Sequence, residues 1–296
     1  MRERSELVLA DLIQLRAERM PDLEVLTFEG GSAGADQVRS FGDLQGNANR
    51  IAAGLIAKGL APGDRLAVMM RNHPEFVETM IACSVVGALF VPIDPRTRGE
   101  KLAYMLRNAG CGGALCADDC LPALDAVRRQ VPDLAWVRVV ETGASADSSA
   151  GFEGVESVSE WLAEPAATVD VRADGPGAPL QIMYTSGTTG DPKGIVGENA
   201  RFCSAGLLGN LFGYGPEDRP YTGLSLTHGN AQSVTLAPAL VMGLRAVFSR
   251  RFSKSKLWEI CRRYGCTTFS LVGGMATAIY SEPSRRDDAD NPVRLV

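Results

Sequence analysis

The run Tyr184-Thr185-Ser186-Gly187-Thr188-Thr189-Gly190-Asp191-Pro192-Lys193-Gly194 decides how the rest of the chain is read. It follows a short apolar run over residues 180–183 and precedes a helical pattern that begins near Glu198. Glycine removes the steric bar to positive φ, so successive backbone N–H groups around Gly187 and Gly190 can converge on one anion. The hydroxyls of Thr185, Ser186, Thr188 and Thr189 add side-chain donors. Lys193 adds a mobile positive charge. A small, donor-rich, cationic loop after a strand suits a polyphosphate. A flexible linker would not place Pro192-Lys193-Gly194 after such a run, between two apolar segments. The nucleoside-triphosphatase pattern G-x-x-x-x-G-K-[ST] also fails. Lys193 follows Pro192, and Gly194 stands where Ser or Thr is required.

Outward from the loop, strand and helix patterns alternate. Helical periodicity covers residues 7–20, 43–58, 75–86, 100–108, 121–130, 231–241, 255–264 and 275–280. Leu44, Ala48, Ile51, Ala52, Leu55 and Ile56 share one face of the second of these, and Gly59 stops it. Short apolar runs at 24–28, 65–70, 88–91, 114–116, 136–140, 221–226, 245–248 and 267–271 read as strands. Residues 141–154 and 170–179 read as polar connectors. Repeated βα units with short apolar strands predict an α/β fold of mostly parallel sheets layered with helices. The last residues, 292–296, read as the opening of one more apolar strand.

Composition narrows the function classes. The chain has 296 residues, 45% hydrophobic and 22% charged, with a formal net charge of −5. This is ordinary globular usage with room for a large core. A mildly acidic balance without a basic cluster argues against a nucleic-acid partner. The longest apolar run, residues 80–93, is too short for a membrane span, which needs about 20 residues. The N-terminal residues alternate charge and lack the apolar core of a signal peptide. Seven cysteines, an odd number in mostly apolar settings, point to reduced thiols and a cytoplasmic location. Cys111, Cys116 and Cys120 lie close together but form no C-x-x-C pair, so no metal site is expected. With only His73 and His228, a Ser-His-Asp hydrolase has little to draw on.

The glycine-, serine- and threonine-rich run resembles the phosphate loop of the adenylate-forming superfamily: acyl-CoA synthetases, luciferases and peptide-synthetase adenylation domains. Four further elements resemble that family in its own order. They are Ser40-Phe41-Gly42-Asp43-Leu44 before the first long helix, Gly63-Asp64-Arg65-Leu66-Ala67-Val68, the stretch Val86-Gly87-Ala88-Leu89-Phe90-Val91-Pro92-Ile93-Asp94-Pro95, and Leu226-Thr227-His228-Gly229-Asn230. The resemblance implies the N-terminal part of the adenylate-forming fold, an AMP-binding domain with subdomains at roughly 1–178 and 179–296. It covers about the first half of a full-length member. The adenine loop, the magnesium motif, the ribose-binding Asp and the small C-terminal domain of the family are therefore expected to lie outside this sequence.

The resemblance also implies chemistry. A carboxylate attacks the α-phosphate of ATP to give an acyl-adenylate and pyrophosphate. A thiol, usually coenzyme A, then attacks the acyl carbon. Thr185, Ser186, Gly187, Thr188, Thr189 and Gly190 would cradle the β- and γ-phosphates, Lys193 would balance pyrophosphate charge, and Mg²⁺ would bridge phosphate oxygens. His228 would gate the acyl tunnel or touch the substrate carboxylate, with a hydrogen-bonded helix-start histidine as the plainer reading. Gly273 and Gly274 would let substrate approach the backbone or would merely turn a strand into a helix. His73, before Pro74, reads as structural. No catalytic residue is assigned within this stretch.

Two departures from the family pattern narrow the substrate. Gly197-Glu198-Asn199 fills the region where a histidine often follows the Lys-Gly, so no role carries over. His228-Gly229-Asn230 lacks the Asp with which peptide-synthetase domains hold an α-ammonium, and a buried ammonium without a carboxylate is costly. The expected partner is a small-molecule carboxylic acid, not a free amino acid. The segments 228–232, 251–253 and 257–258 most resemble ligases of the crotonobetaine/carnitine-CoA group. The chain by itself is expected to complete neither half-reaction. Two other readings stay open: a non-catalytic nucleotide-binding half-domain, and an adenylating enzyme with a different acceptor. Homo-oligomer formation is also left open.

Overall fold

The computed structural model describes residues 3–30, 34–143, 154–165, 168–185 and 191–296. In chain order the strands are β1 (Glu24–Glu29), β2 (Gln37–Ser40), β3 (Arg65–Met69), β4 (Leu89–Pro92), β5 (Cys111–Ala117), β6 (Trp136–Val140), β7 (Val155–Ser157), β8 (Pro179–Thr185), β9 (Lys193–Glu198), β10 (Pro220–Thr222), β11 (Ala246–Ser249) and β12 (Thr268–Phe269). The helices are α1 (Leu9–Arg19), α2 (Phe41–Ala57), α3 (Pro74–Val86), α4 (Gly99–Ala109), α5 (Leu121–Arg128), α6 (Val158–Ala163), α7 (Asn199–Ala205), α8 (Leu208–Leu211), α9 (Ala237–Met242), α10 (Leu257–Tyr264) and α11 (Gly273–Tyr280).

Two sheets carry the fold. One has the order β7-β6-β5-β3-β4-β8-β9, the other β12-β10-β11-β1-β2. Pairing is parallel throughout except at one edge of each sheet, where β8/β9 and β1/β2 are antiparallel. Helix α3 lies between the sheets, touching β3, β4 and β8 on one side and β2 on the other. Its thirteen residues are all buried, as expected of a helix with apolar residues on every face. Helix α2 starts from a capping box. Asp43 Oδ2 accepts from Ser40 N–H at 2.9 Å, and Ser40 Oγ accepts from Asp43 N–H at 3.1 Å. Of its predicted face, Leu44, Ala48, Ile51, Ala52 and Leu55 are buried and Ile56 is partly buried. Trp161 of α6 packs against α2 at Gly54, where any Cβ would fall 2.3 Å from the indole.

The structure departs from the sequence-based expectations at several points. Residues 193–198 form a strand rather than the approach to a helix. Ile195 and Val196 are β-branched, and the segment pairs with β8 in the register Thr185↔Lys193, Tyr184↔Gly194 and Met183↔Ile195. The phosphate loop therefore joins two antiparallel strands. The strand expected over 221–226 ends at Thr222. At Gly223 the backbone passes so close to Phe252 that a Cβ would lie 2.8 Å from its Cα. Residues 267–271 contribute only the two-residue β12, while β2, β7 and α6 were not anticipated. The sheets do not follow a division at 178/179. β1 and β2 join β10–β12, and β8 and β9 join β3–β7. Leu295 bridges Thr268 in parallel, consistent with a further strand opening there. Among the described residues, no helix is long and apolar enough to cross a membrane.

Candidate functional site

The β8/β9 hairpin delivers Thr185 and Lys193 opposite each other at the ends of the phosphate loop. Ser186, Gly187, Thr188, Thr189 and Gly190 lie outside the described residues. Lys193 is exposed. Tyr184 fixes the base of the hairpin, with its hydroxyl 3.0 Å from Met105 O and 2.7 Å from Asn108 Oδ1 on α4. Burial pushes this phenol up to about 12, so it stays a neutral donor.

Beside the hairpin lies a cleft of about 740 Å³ whose lining includes Thr185, Pro192, Asp94, Arg96, Arg98, Lys101 and His228. A second cleft of about 490 Å³ shares Asp94, Arg96 and His228 with the first and continues along residues 223–225, 250–252, Val272 and Met275. His228 thus stands at the junction, half-exposed, with Nε2 3.9 Å from Asp94 Oδ2. Asp94 is held by Arg96 through its Nε (3.0 Å), a second guanidinium N–H (2.8 Å) and its backbone N–H (2.8 Å). Burial pushes the Asp94 carboxyl up, but the hydrogen bonds from the Arg96 side chain and backbone outweigh it and hold the group below its ordinary value. The result is a fixed carboxylate beside three cations, Arg96, Arg98 and Lys101, that line one cleft with Thr185 and Pro192.

Thr185 and His228 therefore line one cleft, with Lys193 next in sequence to its Pro192 wall. Gly273 and Gly274 open α11, and a Cβ on either would meet nothing within 4 Å among the described residues. Their neighbours Val272 and Met275, rather than the glycines, line the second cleft. The sequence reading stopped at Pro95 and missed Arg96, Arg98 and Lys101. Three cations within six residues after an apolar strand were the available signal. His73 is buried at the start of α3, and burial, aided by Arg250, pulls its imidazole down to about 3. It is structural. Asn199 is structural too. Its Oδ1 accepts from Leu9 N–H (3.1 Å) and Ser84 Oγ (2.8 Å), and its Nδ2 donates to Ala178 O (3.0 Å).

The family model for the AMP-binding enzyme matches residues 13–296. The chain belongs to the AMP-binding enzyme family. It is 31% identical over 284 residues to a medium/long-chain-fatty-acid–CoA ligase, FadD17, of Mycobacterium marinum, covering 94% of this chain and 52% of that protein. It is 30% identical over 302 residues to the similarly named FadD6 of Mycobacterium tuberculosis, covering 100% of this chain and 47% of that protein. The chain thus spans about half the length of these curated relatives. Its fold matches the N-terminal domain of FACL13 from Mycobacterium tuberculosis with a TM-score of 0.79 at 23% identity, over 97% of this chain and 68% of that one. The finer resemblance to crotonobetaine/carnitine ligases gains no support from these relatives.

Proposed function

We propose that this AMP-binding domain serves ATP-dependent activation of a carboxylic acid to an acyl-adenylate, followed by transfer of the acyl group to coenzyme A. The observation that carries the reading is the hairpin that sets Thr185 opposite Lys193 beside a cleft lined by Arg96, Arg98 and Lys101. Joining a carboxylate to a triphosphate brings two anions together. Catalysis is then mainly alignment and charge neutralisation. Thr185, Ser186, Gly187, Thr188, Thr189 and Gly190 hold the β- and γ-phosphates, and Lys193 balances the charge on the departing pyrophosphate. Mg²⁺, when bound, neutralises phosphate oxygens. The cationic lining suits such a ligand, and His228 at the junction of the two clefts lies where the carboxylate would pass. The names of the 30–31% identical relatives support a fatty-acid-type substrate.

The experiment is ATP–pyrophosphate exchange across panels of carboxylic acids and amino acids, in a polypeptide that joins this chain to the remaining length seen in its relatives. Exchange should depend on carboxylic acids and be absent with amino acids, because Gly229 and Asn230 offer no carboxylate to an ammonium group. Exchange restricted to amino acids would refute the reading.

A further inference from the structure

Residues 223–228, between β10 and the helical turn that leads into the π-helical Ala231–Leu236, belong to no strand or α-helix, yet residues 223–225 and His228 form a wall of the second cleft. Side-chain amides hold this segment in place. Leu226 N–H donates to Asn72 Oδ1 at 2.8 Å, and Leu226 O accepts from Gln232 Nε2 at 2.8 Å. Both hydrogen-bonding groups of one fully buried residue are thus satisfied by side chains of other elements. Gln232 Oε1 in turn accepts from Gln181 Nε2 of β8 at 2.9 Å. Asn72 Nδ2 donates to Leu224 O (3.0 Å) and Ser249 O (2.8 Å), tying this wall to the one that begins at Arg250. Asn72, Gln181 and Gln232 are 0%, 8% and 2% exposed.

The backbone fixes the polarity of this chain of bonds. Leu226 O can only accept, so Gln232 must present its NH₂ there and its carbonyl to Gln181. Gln181 Oε1 is the end of the chain, buried and without a partner among the described residues. Such an amide chain in a low-dielectric interior restrains every group it joins.

We propose that Gln181, Gln232 and Asn72 are positioning residues: a buried chain of amides that clamps Leu226, holds His228 beside Asp94 at the junction of the clefts, and ties that position to β8, the strand entering the phosphate loop. Its role in catalysis rests on the function proposed above. The clamp itself does not.

The test uses the isotopically labelled 296-residue chain and reads two NMR signals. One is hydrogen exchange at the Leu226 amide. The other is the nuclear Overhauser contact between the His228 ring and Asp94, easily assigned because the chain has only two histidines. Gln232→Met keeps the volume and removes the polar atoms. Leu226 should then exchange roughly tenfold faster or more, with β3 amides unchanged, and the His228–Asp94 contact should weaken. Gln181→Met should do the same to a smaller extent, and it decides the matter if Gln232→Met does not fold. Gln232→Glu supplies the rescue. A protonated carboxyl can donate to Leu226 O and accept from Gln181, whereas a carboxylate has no donor. Protection should therefore be near that of the parent chain at low pH and be lost on ionisation, relative to the parent chain at each pH. A folded Gln232→Met or Gln181→Met chain with unchanged Leu226 exchange and an unchanged His228–Asp94 contact would overturn the proposal. Inorganic pyrophosphate, added separately, should perturb the Thr185 and Lys193 amides. Its failure to do so counts against the proposed function, and the Leu226 exchange rates still decide the clamp.

Discussion

Lys193 and Thr185 face each other across the last rung of the β8/β9 ladder, so the loop between them has a fixed base. A charge-assisted contact to phosphate is worth about 1.5–3 kcal/mol more than its absence. Lys193→Ala should accordingly slow carboxylate-dependent pyrophosphate exchange by roughly ten- to a hundredfold, in the longer polypeptide described above. An unchanged rate would remove Lys193 from the site. As members of a run of Gly, Ser and Thr ending in Pro-Lys-Gly, Thr185 and Lys193 were legible in the sequence as candidates for the proposed phosphate contact. Arg96 and Gln232 were not. Arg96 matters through its bidentate hold on Asp94 beside His228, and Gln232 through Gln181 and Leu226. Those of these partners that lie far apart in sequence meet only in the fold.

At the scale of elements, α3 and the turn before it form a polar seam between the two sheets. Arg39 of β2 donates to Glu78 at 2.6 Å, Asn47 of α2 donates to the same oxygen at 2.7 Å, and Arg250 bonds Asn72 O and Gln37. Glu75 lies in this seam with one carboxylate oxygen unpartnered among the described residues. Burial, reinforced by the Glu78 carboxylate, pushes it from 4.5 up to about 7. A carboxyl that binds its proton more tightly when folded contributes fully below its unfolded value and loses that contribution as pH rises towards the folded one. Glu75→Gln should therefore match the parent chain near pH 4.5 and exceed it at pH 8. The gain should reach up to about 3 kcal/mol, since a tenfold change in proton affinity is worth about 1.4 kcal/mol. Urea unfolding at the two pH values measures this, and an equal effect at both would contradict it. His73 works in the opposite sense, losing stability as pH falls from 6.5 towards 3. The existence of α3 was plain from its apolar run. Its place between two sheets was not, because a helix with apolar residues on every face does not say what covers each one. The hairpin strand β9 was missed for a related reason, since its pairing with β8 is a tertiary choice that Gly194 and Gly197 obscure in a local reading.

At the scale of the whole molecule, the parallel α/β architecture followed from the βα alternation, but the interleaving of the sheets did not. Strand β1 pairs with β11 across more than two hundred residues, and no local pattern encodes that choice. The interleaving makes the phosphate hairpin part of the same sheet as β3 and β4, with Asp94 just beyond the end of β4. One sheet therefore places the hairpin and the cationic row, while His228 follows β10 of the other. On the function proposed above, the hairpin supplies phosphate contacts, and the rest of the nucleotide site is expected in the length that the relatives have and this chain does not. Exposed contacts to a polyphosphate are largely offset by lost hydration. The most direct measurement is a calorimetric titration of the 296-residue chain and its Lys193→Ala variant with Mg·ATP, alongside a coupled acyl-CoA assay. The predicted result is saturable binding at about 1 mM or weaker, corresponding to about −4 kcal/mol or less, further weakened in the variant and without turnover above background. Micromolar binding, turnover, or affinity indifferent to Lys193 would contradict a site that offers ATP phosphate contacts alone.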